Sequence, residues 1–189
     1  NTRETIELSR RSVEAGADGL LLISPYYNKP NDSGLTKHYE TVADETDIPL
    51  ILYNVPSRTG QNMPTDVVVE LASHPSIVGI KEASGDINQI SELCRRTRGE
   101  DFEVVSGDDA MTLPLMSVGG SGVISVVANI FPEAMCDLVS ACEEGNYDEA
   151  RDLHHELLPV FDAMFVETNP IPVKKAMEVL GYSGPGLRL

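Results

Sequence analysis

The stretch PLILYNVPSRTGQNMPTDVVVELASHPSIVGIKE, residues Pro49 to Glu82, decides the fold. It opens and closes on short apolar runs, Pro49–Tyr53 and Ile77–Ile80, neither of which alternates apolar with polar residues. A parallel strand covered on both faces requires such a run. Between the two runs Met63-Pro64-Thr65 opens an amphipathic helix, which His74-Pro75 closes after about Ser73. Proline is tolerated in the first turn of a helix and ends one when it follows. The stretch therefore reads strand, helix, strand.

The same unit recurs on both sides. Gly19–Ile23, Phe102–Val105 and Gly122–Val127 are further apolar runs, spaced by roughly one strand plus one helix. Helices are expected from Arg3 to Ala15, ended by Gly16, and from Ser33 to Thr46, ended before Pro49. Asp86 and Asp109 have the chemistry of N-caps, and Pro132 sits at a first helical position. Two further helices, Tyr147 to Val166 and Pro172 to Leu180, have no strand between them, and Pro159 is expected to kink the first.

Five equal βα units followed by helices point to an α/β fold of the (β/α)8 TIM-barrel type with a C-terminal helical extension. A whole barrel needs about 250 residues, and the chain has 189. The expectation is a fragment that begins just before the fourth strand and covers about strands 4–8. Residues 1–144 would form the partial barrel, and residues 145–189 a truncated extension. Five strands would leave two exposed edges, so the chain alone is expected to fold poorly and to be inactive.

Composition removes whole classes of function. Apolar residues make up 41% and charged residues 23%, as in an ordinary globular protein. No apolar run reaches the length of a membrane span, and no signal peptide is visible, so a cytoplasmic location is expected. Net charge is −16, which repels nucleic acid and anionic lipid. An acidic surface with only five lysines suits a salty cytoplasm. Cys94, Cys136 and Cys142 form no C-x-x-C pair and read as buried small hydrophobes in a reducing compartment. Asn31-Asp32-Ser33 matches a glycosylation site by spelling only.

Barrel enzymes work at the C-terminal ends of their strands. Lys81 ends an apolar strand there. Either it snorkels or pairs with Glu82, or it loses hydration and becomes a neutral amine able to form a Schiff base. Tyr53 ends the preceding strand, either capping the core or shuttling protons. Arg58, in the following loop, can grip a carboxylate or serve an internal ion pair. Asp108 and Asp109 read as turn and cap residues. His154 and His155 read as surface residues, and no histidine spacing is that of a metal site. Gly119-Gly120-Ser121-Gly122 precedes a strand and belongs to the opposite end of the barrel, as a tight turn.

Several motifs in register resemble one family. They are Tyr53-Asn54-Val55-Pro56-Ser57-Arg58-Thr59-Gly60, Gly79-Ile80-Lys81-Glu82-Ala83-Ser84-Gly85-Asp86, Pro25–Pro30, Ser106–Asp109, Gly122–Val126 and Asn169–Lys174. Together they resemble the dihydrodipicolinate synthases of the pyruvate-dependent class I aldolase superfamily. The resemblance implies a lyase of lysine and diaminopimelate biosynthesis that uses no cofactor and no metal. It would condense pyruvate with L-aspartate 4-semialdehyde to 4-hydroxy-tetrahydrodipicolinate through a lysine imine.

By the same resemblance Lys81 forms the imine, Tyr53 relays protons and Arg58 holds the semialdehyde carboxylate. Tyr27 reaches into the neighbouring subunit's site, and the backbone at Gly107 and Ile124 lines the pyruvate site. A homotetramer built as a dimer of dimers is implied. Glu4 and Tyr26 match positions of the family's allosteric site. The family's Thr-Thr-Gly-Glu relay segment is not in this chain. Two other readings are a related aldolase for a 2-keto-3-deoxy sugar acid or N-acetylneuraminate, which Ser57-Arg58-Thr59 argues against, and a non-catalytic paralogue, which the trio of Lys81, Tyr53 and Arg58 argues against.

Overall fold

The computed structural model describes residues 1–184 and 186–188; the expected extension to residue 189 thus includes Pro185 and Leu189, which lie outside the described residues. Five strands form one sheet: β1 (Leu20–Ile23), β2 (Leu50–Asn54), β3 (Ile77–Glu82), β4 (Glu103–Ser106) and β5 (Gly122–Val123). They lie in chain order, and every neighbouring pair is parallel. The helices are α1 (Thr2–Glu14), α2 (Asp32–Asp44), α3 (Pro56–Thr59), α4 (Thr65–Ala72), α5 (Ile87–Arg96), α6 (Thr112–Ser117), α7 (Pro132–Glu143), α8 (Tyr147–Ala163) and α9 (Ile171–Val179).

Local chemistry sets the boundaries. Asn31 caps α2, its side-chain oxygen accepting from Gly34 N–H at 3.0 Å, which gives this residue a structural task. Asp86 caps α5 by accepting from Asn88 and Gln89 N–H. Pro132 stands at the start of α7, as expected.

The sheet has two unlike faces. Leu50, Leu52, Ile77, Ile80 and Val104 are buried with helix residues Leu35, Val68, Leu71, Ile90 and Leu93. Each such side chain contributes about 1.5–3 kcal/mol of burial. The other face carries Leu21, Ile23, Ile51, Tyr53 and Lys81, all half-buried or exposed. Pairing of β2 with β3 slips once: Leu50 faces Ile77, but Ile51 faces Gly79, so Val78 is an extra residue.

Several expectations are corrected. The run Gly122–Val127 is a strand only at Gly122–Val123, and Val127–Asn129 forms a 3-10 turn instead. Arg58 lies in the one-turn helix α3 and not in a loop. Helix α8 runs from Tyr147 to Ala163, with Pro159 inside it, and ends before the expected Val166. Cys136 is exposed, and only Cys142 is fully buried. His154 is half-buried against Phe161, with ring centroids 5.9 Å apart, and burial lowers its pKa.

Candidate active site

The parallel ladder of β2 and β3 places Tyr53 opposite Lys81 and Asn54 opposite Glu82. Successive side chains leave a strand on opposite faces. Tyr53 and Lys81 therefore stand side by side on the open face, and Asn54 and Glu82 on the helix-covered face. The Lys81 ammonium nitrogen lies 4.5 Å from the centroid of the Tyr53 ring. A cation at that distance from an aromatic face is attracted to the ring quadrupole.

Burial disfavours the charged form of both groups. It lowers the pKa of Lys81, with the Asp109 charge opposing the effect, and raises that of Tyr53, with the Arg58 charge opposing it. Lys81 is thus moved toward the neutral amine that attacks carbonyls. Gly107 is what makes room for its stem: a Cβ there would meet Lys81 Cε at 2.9 Å, Lys81 Cγ at 3.1 Å and Ala83 Cβ at 2.9 Å. The Gly107 N–H donates to the Glu82 carbonyl at 2.7 Å, and the Ile124 N–H to the Ser106 carbonyl at 2.9 Å. These bonds set both backbones beside the ends of β3 and β4.

Glu82 does not pair with Lys81. It is 1% exposed, and its carboxylate accepts from Asn54 Nδ2 at 3.0 and 3.2 Å and from Ser84 N–H at 2.6 Å. Asn54 Oδ1 accepts from Met63 N–H, and Asn54 Nδ2 also reaches Asn62 Oδ1. Asn62 donates on to Gln89, which donates to the Met63 carbonyl. Burial pushes the Glu82 pKa up, against these bonds. The residues were quoted in the motifs; their task was hidden because it depends on which face each occupies.

Asp109 caps no helix of its own; Asp108 caps that turn, accepting from Ala110 N–H at 3.0 Å. Asp109 is buried and reaches across to the segment after β5. Its carboxylate accepts from Ser125 Oγ, from Val126 N–H at 3.0 Å and from Val127 N–H at 3.2 Å.

Arg58 is exposed and donates through Nη2 to the Asn169 carbonyl at 2.9 Å, which joins α3 to the segment before α9. It makes no ion pair among the described residues, so its remaining donors are free for a ligand carboxylate. Arg58, Thr168, Asn169 and Lys174 line a cavity of about 480 Å³. Tyr27 is not brought to Lys81 within the chain; it lies beyond β1 and is 89% exposed. Among the described residues no group of three or more His, Cys, Asp or Glu is placed to hold a metal ion, and no helix is long and apolar enough to cross a membrane.

Comparison with known proteins gives one family. The 4-hydroxy-tetrahydrodipicolinate synthase of Haloarcula marismortui is 63% identical over 188 residues, which are 100% of this chain and 61% of that protein. That of Methanospirillum hungatei is 57% identical over 189 residues, 65% of its length. The crystal structure of dihydrodipicolinate synthase from Aquifex aeolicus superposes with a TM-score of 0.96 at 46% identity, over all of this chain and 64% of that one. The chloride-inhibited enzyme of Acinetobacter baumannii, solved in complex with pyruvate, superposes with a TM-score of 0.96 at 43% identity, over 65% of its chain. The chain thus spans a little under two thirds of the length of these relatives. With the family model of the dihydrodipicolinate synthetases matching residues 1–188, the chain belongs to the dihydrodipicolinate synthetase family.

Proposed function

We propose that the protein carrying this chain condenses pyruvate with L-aspartate 4-semialdehyde to 4-hydroxy-tetrahydrodipicolinate, as a lyase of lysine and diaminopimelate biosynthesis. The observation that carries the reading is Lys81 Nζ standing over the Tyr53 ring, half-buried at the ends of adjacent parallel strands. The neutral amine of Lys81 adds to C2 of pyruvate. The carbinolamine takes up a proton and loses water, which leaves a cationic imine. Loss of a C3 proton gives the enamine, whose C3 then forms a carbon–carbon bond to the aldehyde of the semialdehyde. The substrate's own amine next attacks C2, closes the ring and expels Lys81. One water is released overall.

Tyr53 is the proton carrier beside the nitrogen, and Arg58 the donor for the semialdehyde carboxylate. The backbone at Gly107 and Ile124 lines the pyruvate end. The pyruvate bound to the Acinetobacter baumannii relative supports that substrate, and the names of the relatives support the second.

The same reading assigns the five strands as strands 4–8 of a (β/α)8 barrel, with residues 1–144 the partial barrel and 145–189 the helical extension. It makes the protein a cytoplasmic homotetramer in which Tyr27, exposed beyond β1, enters the neighbouring subunit's site.

The test is reduction of the full-length protein with borohydride in the presence of pyruvate, read by intact and peptide mass, with Lys81→Arg as control. A pyruvate-derived adduct on Lys81, absent from the control, is expected. Its acid limb is expected below the ordinary lysine value of 10.5, because burial lowers the Lys81 pKa and the neutral form persists down to that lower value. No adduct on the folded protein refutes the lysine chemistry. An adduct without turnover of aspartate semialdehyde refutes the second substrate.

A further inference from the structure

The strand β5 is only two residues long, and the regular ladder leaves the chain at Ile124. Yet this is where the backbone must be fixed if it lines the pyruvate end. What fixes it comes from elsewhere in the sequence. Asp109, in the turn after β4, accepts from Val126 and Val127 N–H and from Ser125 Oγ, while Ser125 Oγ accepts from Ala128 N–H at 2.8 Å. The turn at Val127–Asn129 is therefore capped by a carboxylate 17 and 18 residues upstream of the N–H groups it receives.

An asparagine or serine could accept such N–H bonds without bringing a charge. Asp109 is 2% exposed and makes no salt bridge among the described residues. A buried ion without a paired charge costs several kcal/mol in lost hydration. The charge is felt at Lys81, where it opposes the effect of burial. The other titratable group facing Lys81 is Tyr53 from β2, and the Arg58 charge from α3 acts on Tyr53. Asp108, after β4, turns its carboxylate to Ala110 N–H, and Glu82 lies on the other face.

We infer that Asp109 is a positioning residue for the imine step, holding the Ser125–Val127 turn against the site and favouring the cationic imine on Lys81 over the neutral one. The inference rests on the imine chemistry proposed above. A fixed negative charge makes the ammonium of unreacted Lys81 harder to deprotonate. It also keeps the imine protonated, and the protonated imine is what acidifies the C3 hydrogens. Such preorganised charge is a large term in catalysis.

The full-length Asp109→Asn variant separates these effects, since it keeps an acceptor of the same shape. Two quantities are read: the pH profile of borohydride trapping, and exchange of the pyruvate methyl hydrogens in heavy water, which reports enamine formation. The acid limb of trapping is expected to move to lower pH, and exchange to slow by about 100-fold. A merely structural role would not shift the limb. Ser125→Ala keeps the charge and removes two bonds of the clamp, those to Asp109 and from Ala128 N–H. It should raise KM for pyruvate by up to about tenfold with the limb in place. A folded Asp109→Asn protein with the wild-type limb and exchange rate overturns the inference. If that variant does not fold, an unchanged KM in Ser125→Ala overturns it. If the wild-type protein forms no adduct on Lys81, the failure lies with the imine reading beneath it.

Discussion

Replacing Gly107 by alanine should separate activity from stability. The backbone at Gly107 is outside the left-handed region, so alanine strains nothing there. The added methyl is the whole perturbation. Carbon atoms in ordinary contact stand about 3.5–4.0 Å apart. The new Cβ would stand 2.9 Å from both Lys81 Cε and Ala83 Cβ. The lysine stem must move, by roughly 0.5–1 Å, and because Ala83 has no torsion with which to withdraw its Cβ, the backbone there must shift as well. Overpacking of this kind costs about 1–3 kcal/mol, and the rigid Ala83 contact keeps the cost from the lower end. A reacting group misplaced by about 1 Å costs about 100-fold in rate. Gly107→Ala in the full-length protein should therefore lose about 2–3 kcal/mol in urea denaturation and about 100-fold in the single-turnover rate of pyruvate trapping. Trapping on Lys81 at the wild-type rate would show that Gly107 does not shape the site.

The other expectations follow from single contacts. Arg58→Ala should raise KM for aspartate semialdehyde by about 10- to 100-fold and leave trapping of pyruvate intact, since a charge-assisted hydrogen bond contributes about 1.5–3 kcal/mol. Loss of trapping would place Arg58 at the other substrate. Asn54→Leu strips Glu82 of a buried partner and should cost about 1–3 kcal/mol in chemical denaturation. Burial already raises the Glu82 pKa above the ordinary 4.5, and removing a bond to its ionised form raises it further. A raised carboxyl pKa means stability that is complete below 4.5 and lost as pH climbs through the folded value. The deficit of the variant should therefore widen with rising pH above a floor set in acid by the lost Met63 and Asn62 bonds; a pH-independent deficit refutes the role of charge. With 30 acidic against 14 basic residues, the melting midpoint should rise between low and molar salt as screening relieves repulsion. Equal midpoints would refute the view of the surface as adapted to salt.

The repeating apolar runs made the parallel sheet and most helix ends legible, because a strand covered by helices leaves a continuous hydrophobic signature and its turns carry proline and glycine. Lys81 and Tyr53 were legible as candidates because they terminate such runs, and the ladder sets them side by side. Less was visible wherever distant residues decide. The run Gly122–Val127 looks like one strand from end to end. A carboxylate from Asp109 takes the N–H groups of Val126 and Val127, and the ladder ends after two residues. The partner of Glu82 was hidden for a related reason: its sequence neighbour Lys81 is on the opposite face, and its partner Asn54 is one strand away. Local pattern also hides the one-turn helix at Arg58, which is too short to show a period.

The single slip between β2 and β3 governs the chemistry through arithmetic of parity. Counting on from Leu50 opposite Ile77 with Val78 in regular register opposite Ile51 would set Ile80 beside Tyr53 and Lys81 beside Asn54. The amine would then be sealed beneath the helices and an isoleucine would face the phenol. One additional residue changes odd to even and delivers the lysine to the open side, as bulges near active sites do. Gly79 follows at once, where a Cβ would stand 2.6 Å from the Glu103 carbonyl oxygen, so the irregular stretch also tolerates no side chain. Straightening the bulge, with Val78 paired in register, would leave every motif in the chain unchanged and still bury the amine.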